Sequence, residues 1–281
     1  MLEEQGVTAD GAAWLRSAIR DTMAALHEHG ELAGAQLSKL VPALRVKLHF
    51  GSGLWAAEVG MTTRVVFLLA TEGTIVRARP RGSWISGQYR WTPTDVWLGA
   101  PLPSLPAAEA SATLLHAWLA AFGPGTAADI RWWTGWTARQ ANATLAAIDV
   151  EEVALDDGAT GFVLADDAAP VRSRKRWVAF LPGLDPTTMG WKERDWYLGP
   201  HGPALFDRNG NAGPTVWADG RVVGGWSQRT NGDVVYRLLE RVDPATKKKI
   251  DAERDRLTGW LGGARVTPRF RNPLEKELAA S

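Results

Sequence analysis

One order of elements occurs twice along this chain: three segments with helical spacing, then a segment of alternating side chains broken by turn residues. In the first copy, WLRSAIRDTMAALHEH sets Trp14, Leu15, Ala18, Ile19, Thr22, Ala25 and Leu26 at helical intervals. A turn at Gly30 leads to ELAGAQLSKLV, and an irregular span containing GSGLW follows. TTRVVFLLATEG (62–73) is the third helix, with Thr62 or Thr63 as its cap and Gly73 as its stop. TIVRARPRGSWISGQYRWTP then reads as a hairpin around a Pro-Arg-Gly-Ser turn.

The second copy runs SATLLHAWLAAFG, then GTAADIRWW capped by Thr126, then a turn at Gly135, then TARQANATLAAI (137–148) capped by Thr137. EEVALDDGATGFVLADD closes it as a hairpin with a DDG turn. The copies share a grammar and few residues. Three helices followed by a hairpin is the order of a winged helix-turn-helix, so two such units are expected in tandem. A third block differs. RWVAFLPGLDP opens with a strand-like run, and PTVWADGRVVGGWSQRTNGDVVYRLL predicts three antiparallel strands. Two-residue turns are expected at Asp219-Gly220 and Asn231-Gly232. DPATKKKIDAERDRLTGWLGG predicts a helix capped by Asp243 with Pro244 first. Proline-rich seams at GAPLPSLPAAEAS (99–111) and near Pro170 divide the blocks. The fold class predicted is α+β. Winged-helix domains over 1–105 and 106–169 precede a β-rich C-terminal domain over 170–281 with a terminal helix.

Composition narrows the chemistry. The chain has no cysteine, which removes disulfides, thiolate metal sites and cysteine nucleophiles. Glu3, Glu4 and Asp10 interrupt the first residues, which do not read as a signal peptide, and apolar runs such as Val65–Ala70 are too short to span a bilayer. A cytoplasmic protein without membrane association is the expectation. The net charge is +1, but it divides unevenly: +1 over 1–105, −7 over 106–169 and +7 over 170–281. A basic C-terminal third suits a phosphate backbone, and equally an ordinary solvated surface.

The run LPGLDPTTMGWKERDWYLGPHGPALFDRNGNAGPTVWADGRVVGGW (181–226), behind two winged-helix-like units, resembles a known group. Its cues are PG-x-DP-x(3)-GW, then DR, then P-T-V-x(3)-DGRVVGGW. They are similar to those of bacterial winged-helix DNA-binding-domain proteins that include the AlkZ/YcaQ-type DNA glycosylases. The resemblance covers roughly residues 11–270. It implies binding of double-stranded DNA, no cofactor and no metal, and a reaction class of N-glycosidic bond hydrolysis at alkylated or crosslinked bases. It also implies a first winged helix bearing Gln-x-Gln or Gln-x-Asp to position water. Here Gln5, Gln36, Gln88, Gln140 and Gln228 all lack Gln or Asp two places on. The reading is therefore either an N-terminally shortened form or a member without the catalytic unit, and no catalytic residue carries over. A non-enzymatic DNA-binding or partner-docking protein, such as a transcriptional regulator, is the rival class.

Candidate DNA contacts follow. In a winged helix the third helix enters the major groove, so Arg139, Gln140 and Asn142 are suited to base edges and Thr137 to a phosphate. The other reading of that face is a solvated or domain-docking surface, and the acidic surroundings leave both open. At least two of Trp132, Trp133 and Trp136 are expected in the core. Arg77, Arg79 and Arg81 alternate, so they share one face of the first hairpin, and with Arg64, Arg90 and a single acid, Glu72, residues 64–90 carry +4. Gln228, Arg229 and Asn231 sit at the tip of a C-terminal hairpin, a counterpart of the lesion-probing hairpin implied by the resemblance, or a plain surface turn. The basic runs Arg172, Arg174, Lys175, Arg176 and Lys247, Lys248, Lys249 would add nonspecific attraction. His27 and His29 face different ways on one helix, so chelation is not expected. Asp185 is read as a turn or cap residue.

Overall fold

The structure, a computed structural model, describes residues 1–53, 56–169, 176–268 and 271–280, in two compact units, Met1–Ser104 and Leu105–Ser281. Arg172, Arg174 and Lys175 lie outside the described residues. The chain is mixed α+β, with helices and small antiparallel sheets.

In the first unit, α1 (Gly11–His29) starts where Asp10 accepts the Ala13 N–H at 2.8 Å. Its buried positions Ala18, Thr22, Ala25 and Leu26 form one stripe. They meet Leu37 of α2 (Gly34–Leu40) and Leu44 of a 3-10 turn. The span after that turn is not irregular. β1 (Lys47–Phe50) and β2 (Ala57–Gly60) pair antiparallel, from Lys47 opposite Gly60 to Phe50 opposite Ala57. Four residues on either side of a Gly-Ser-Gly are too few to show an alternation in sequence. Next, α3 (Met61–Thr71) buries Met61, Val65, Val66 and Leu69. Neither threonine caps it: Gly60 holds the cap position without a side chain, and Thr62 Oγ1 instead donates to the Leu44 carbonyl at 2.9 Å. Gly73, at φ 73°, stops the helix as expected. β3 (Ile75–Arg77) then pairs with β4 (Trp91–Pro93), and α4 (Thr94–Leu98) follows.

In the second unit, α5 (Ala107–Phe122) begins inside the seam, because Ala107–Ala110 extend the helix back to Pro106. α6 (Ala127–Thr134) ends on Gly135 at φ 72°, and α7 (Ala138–Leu145) starts on Thr137. β5 (Val150–Ala154) and β6 (Thr160–Leu164) pair across the Asp-Asp-Gly turn, where Gly158 takes φ 83°. Leu115, Trp118, Leu119, Ile130, Ala141 and Leu145 make their common core.

Beyond it, β7 (Val178–Leu181) leads through three short helices, α8 (Pro186–Met189), α9 (Asp195–Leu198) and α10 (Gly202–Leu205), to the meander of β8 (Thr215–Ala218), β9 (Arg221–Gln228) and β10 (Val234–Leu238). The strands lie in the order β10-β9-β8-β7, all antiparallel. Alternation puts Val216 and Val223 on one face with Ile250 of α11 (Pro244–Leu261), and Trp217 and Val222 on the other with Leu274 and Leu278 of α12 (Pro273–Ala280). Both faces of the sheet are covered. At Gly224 the strands approach so closely that a Cβ would strike the Arg237 carbonyl, which explains the first glycine of GGW. Asp219 (φ 49°) and Gly220 (φ 86°) make the expected two-residue turn. Asn231-Gly232 does not. There the Gly232 N–H meets the Arg229 carbonyl and the Arg229 N–H meets that of Asp233, so a three-residue loop carries glycine last, at φ 104°. Asp243 caps α11 as expected, accepting the Thr246 N–H at 3.0 Å. That carboxyl is held down to about 2, first by the Thr246 backbone and hydroxyl and then by Arg176. Among the described residues no helix is long and apolar enough to cross a membrane.

Candidate nucleic-acid interface

The hairpin between β3 and β4 gathers the arginine row. Its ladder continues past the strands through Ala78 N–H to Arg90 O and Arg81 N–H to Gln88 O. Ala78 is buried while Arg77, Arg79 and Arg81 are exposed, so the alternation read from sequence persists beyond the three residues of β3. Arg77 lies over Tyr89 at 4.7 Å and Trp91 at 5.3 Å, which props the guanidinium against the partner strand. No acidic residue occurs between Glu72 and Asp95. Arg90 is tied down rather than free in the row: it pairs with Glu31 at 2.8 Å and its Nε donates to the Arg79 carbonyl at 3.3 Å.

Arg64 does not join this row. Its guanidinium sits over Phe50 of β1 at 4.4 Å, in a depression shared with Leu2, Leu15, Leu48 and Leu68. The groove beside the hairpin is lined instead by Thr63, Phe67 and Thr71 of α3 with Val76, Arg77 and Trp91. Phe67 is exposed there, and the sequence reading missed it because a phenylalanine on an apolar helix reads as core.

At the start of α7, Thr137 and Gln140 are engaged with each other. Gln140 Oε1 accepts from the Thr137 N–H at 3.1 Å and from its hydroxyl at 3.0 Å, and the Gln140 N–H returns a bond to Thr137 Oγ1 at 3.3 Å. That uses Gln140 as a capping residue. Arg139 and Asn142 are exposed on the same face, which residues 176–268 and 271–280 leave open. The tryptophans divide differently from expectation. Only Trp136 packs against the core, while Trp132 and Trp133 are 39% and 40% exposed. Trp133 leans on Trp118 with 6.3 Å between rings, and Trp132 faces the guanidinium of Arg194 at 5.1 Å. On its other side Arg194 lies 4.8 Å from the Phe206 ring.

The C-terminal hairpin tip is built inward. Gln228 is 8% exposed. Its Nε2 donates to Ala264 O at 2.9 Å and its Oε1 accepts from the Val266 N–H at 2.9 Å. It is a latch, not a tip contact, because β9 runs on through it. Asn231 closes the loop by bonding Asp233 through both side-chain atoms, at 2.7 and 3.0 Å. Its carbonyl accepts from Arg265 Nη2 at 2.7 Å. Arg229 is half-buried. Sequence reasoning missed Arg265, which sits just after α11 with no periodic or motif signal. Among the described residues, no three His, Cys, Asp or Glu gather where a metal could be held.

Across all this the chemistry is cationic and aromatic: guanidinium groups propped on rings, beside exposed helix faces. A family described as DNA glycosylase AlkZ-like matches residues 3–260. The solved structure of the Streptomyces sahachiroi DNA glycosylase AlkZ superposes with a TM-score of 0.65 at 22% identity, covering 92% of this chain and 69% of that one. No curated protein matches.

Proposed function

The chain belongs to the AlkZ-like DNA glycosylase family, and on that premise we propose that it binds double-stranded DNA through tandem winged-helix units and acts in the repair of alkylated or crosslinked DNA. Residues α1 to β4 supply one unit, α5 to β6 the second, and the sheet with α11 and α12 a third domain. The observation that carries the DNA reading is the exposed row Arg77, Arg79 and Arg81, on a hairpin free of acidic residues. Guanidinium groups repeated on one strand face suit phosphates flanking a minor groove. Arg139 and Asn142 at the exposed start of α7 suit base edges, with Thr137 and Gln140 capping the helix that carries them. Gln228, Arg229 and Asn231 act by holding their own loop, and Arg64, stacked on Phe50, stands outside the contact set.

Glycosidic hydrolysis is proposed for the family's chemistry and is assigned to no residue of this chain. Titration of a fluorescent duplex, plain or alkylated, tests the reading. Binding that tightens on the alkylated duplex and weakens steeply with salt is expected. Sequence-selective binding indifferent to the lesion would favour a regulator, and no binding at low salt would remove DNA altogether.

A further inference from the structure

Leu184 is 60% exposed and holds φ 61°, one of two non-glycine residues at positive φ among the described residues. The other, Asp219, has the tight hairpin turn to explain it. Leu184 also sits in a turn, as the third residue of Pro182–Asp185, which the Asp185 N–H closes on the Pro182 carbonyl at 3.4 Å; a glycine would fill that position without strain, and the chain places an exposed leucine there. The loop is nonetheless rigidly built. Leu184 N–H donates to Ala212 O at 2.9 Å, and Asp185 accepts the Thr187 N–H at 2.8 Å to cap α8. Upstream, the Leu181 carbonyl accepts from Trp226 Nε1 at 2.8 Å. The result is an apolar tip, Pro182-Gly183-Leu184, projecting from a fixed base.

A second fixed turn stands beside it. Asp207 accepts the N–H groups of Asn209 and Asn211 at 2.8 and 2.9 Å, leaving Arg208 exposed. Phe206, bridged to Ala212 at the foot of this turn, is the ring under Arg194. The surface is near neutral. Lys192, Arg194 and Arg208 are offset by Glu193 and Asp195, and by Asp185 and Asp207, whose carboxylates fold onto their own turns.

We propose that Leu184 is a wedge that enters the base stack of duplex DNA held by the Leu105–Ser281 unit. The assignment rests on the DNA-binding reading above. An apolar side chain on a rigid, strained tip matches what unstacking of a base step demands, and residues of this kind kink duplexes in many DNA-bending proteins. Because the tip is near neutral, the wedge should add no counterion release.

The test compares the wild-type chain with Leu184→Gly and Leu184→Met on a short duplex carrying several 2-aminopurines. The wild type should raise 2-aminopurine fluorescence severalfold on binding. Leu184→Gly should bind with an unchanged salt slope, melt at the same or higher temperature, and lose that rise; Leu184→Met should restore it. A purely structural leucine cannot give this pattern, since its removal would lower the melting temperature. If Leu184→Gly binds and unstacks like the wild type, or melts lower and loses binding in proportion, the wedge is overturned while duplex binding stands. If the wild type binds no duplex at low salt, both readings fall.

Discussion

Asp129 and the backbone of Lys192, 63 residues apart, are joined by a 2.7 Å hydrogen bond. The same carboxylate oxygen also accepts the Glu193 N–H at 3.0 Å. Its second oxygen accepts from the Thr126 N–H at 3.0 Å and hydroxyl at 2.8 Å, completing a capping box on α6. Asp129 is 2% exposed. One buried side chain thus starts a helix and ties it to the segment that carries Arg194. Phe122 and Trp191 strengthen the seam, with rings edge-on at 5.3 Å and Trp191 Nε1 donating to Phe122 O at 3.0 Å.

Asp129→Ala should therefore destabilise the Leu105–Ser281 unit by about 3 kcal/mol, since buried donors lose a charged acceptor. Asp129→Asn should cost about half as much, because one oxygen still faces the Lys192 and Glu193 N–H groups. Urea unfolding of both variants measures this. Equal costs would mean that the oxygen retained in asparagine contributes nothing and that the whole effect belongs to the carboxylate.

Such long-range ties explain what could and could not be read from sequence. Local signals transferred well. Asp243-Pro244 opens α11, Gly135 ends α6, Thr137 opens α7, and Asp219-Gly220 turns the sheet, because each depends on a few neighbouring residues. Helical spacing cannot tell a core position from a ledge: Trp132 is held by Arg194, far along the chain, and Trp133 rests its ring on Trp118 while staying exposed. Gln228 looked like a loop residue because its partners, Ala264 and Val266, lie beyond the next helix. The three short helices α8 to α10 and the docking of α12 were missed for the same reason: none is long enough to show its own period.

The latch on the C-terminal hairpin has a measurable consequence. Gln228 and Arg265 bind the loop to the chain after α11 through backbone carbonyls and one N–H. Gln228→Ala strands the Val266 N–H and should cost about 1–2 kcal/mol. Amide exchange at residues 229–233 should accelerate well beyond exchange in β8. If the loop stays as protected as before, the hairpin is held by its own turn chemistry alone.

Glu275 gives stability a pH dependence. It is 3% exposed on α12, and burial pushes its carboxyl up to about 7, against the pull of Arg271, 3.5 Å away, and of the Asn272 backbone. The folded chain then binds a proton that the unfolded chain has released. The stabilisation is complete below the usual carboxylate range and is lost as pH rises through about 7. Between pH 5 and 8 the loss should approach about 2 kcal/mol. Glu275→Gln should flatten that slope in denaturant melts and be the more stable protein at pH 8. A slope unchanged by the substitution would place the titration elsewhere.

Finally, the arginine row and Arg64 should separate in salt titrations of duplex binding. Arg77, Arg79 and Arg81 stand exposed on one hairpin face, and among the described residues no ion pair engages them. Removing one arginine that neutralises a phosphate should lower the magnitude of the log K against log salt slope by about 0.9, so the triple alanine variant should lose about 2.7. Arg64, stacked on Phe50 away from the hairpin groove, should leave the slope where it was when replaced by alanine. Its removal should instead appear in thermal stability, by about 0.5–1 kcal/mol for an exposed cation–π pair. Should Arg64→Ala change the salt slope as much as any member of the row, the contact surface would lie along α3 and β1 rather than along the hairpin.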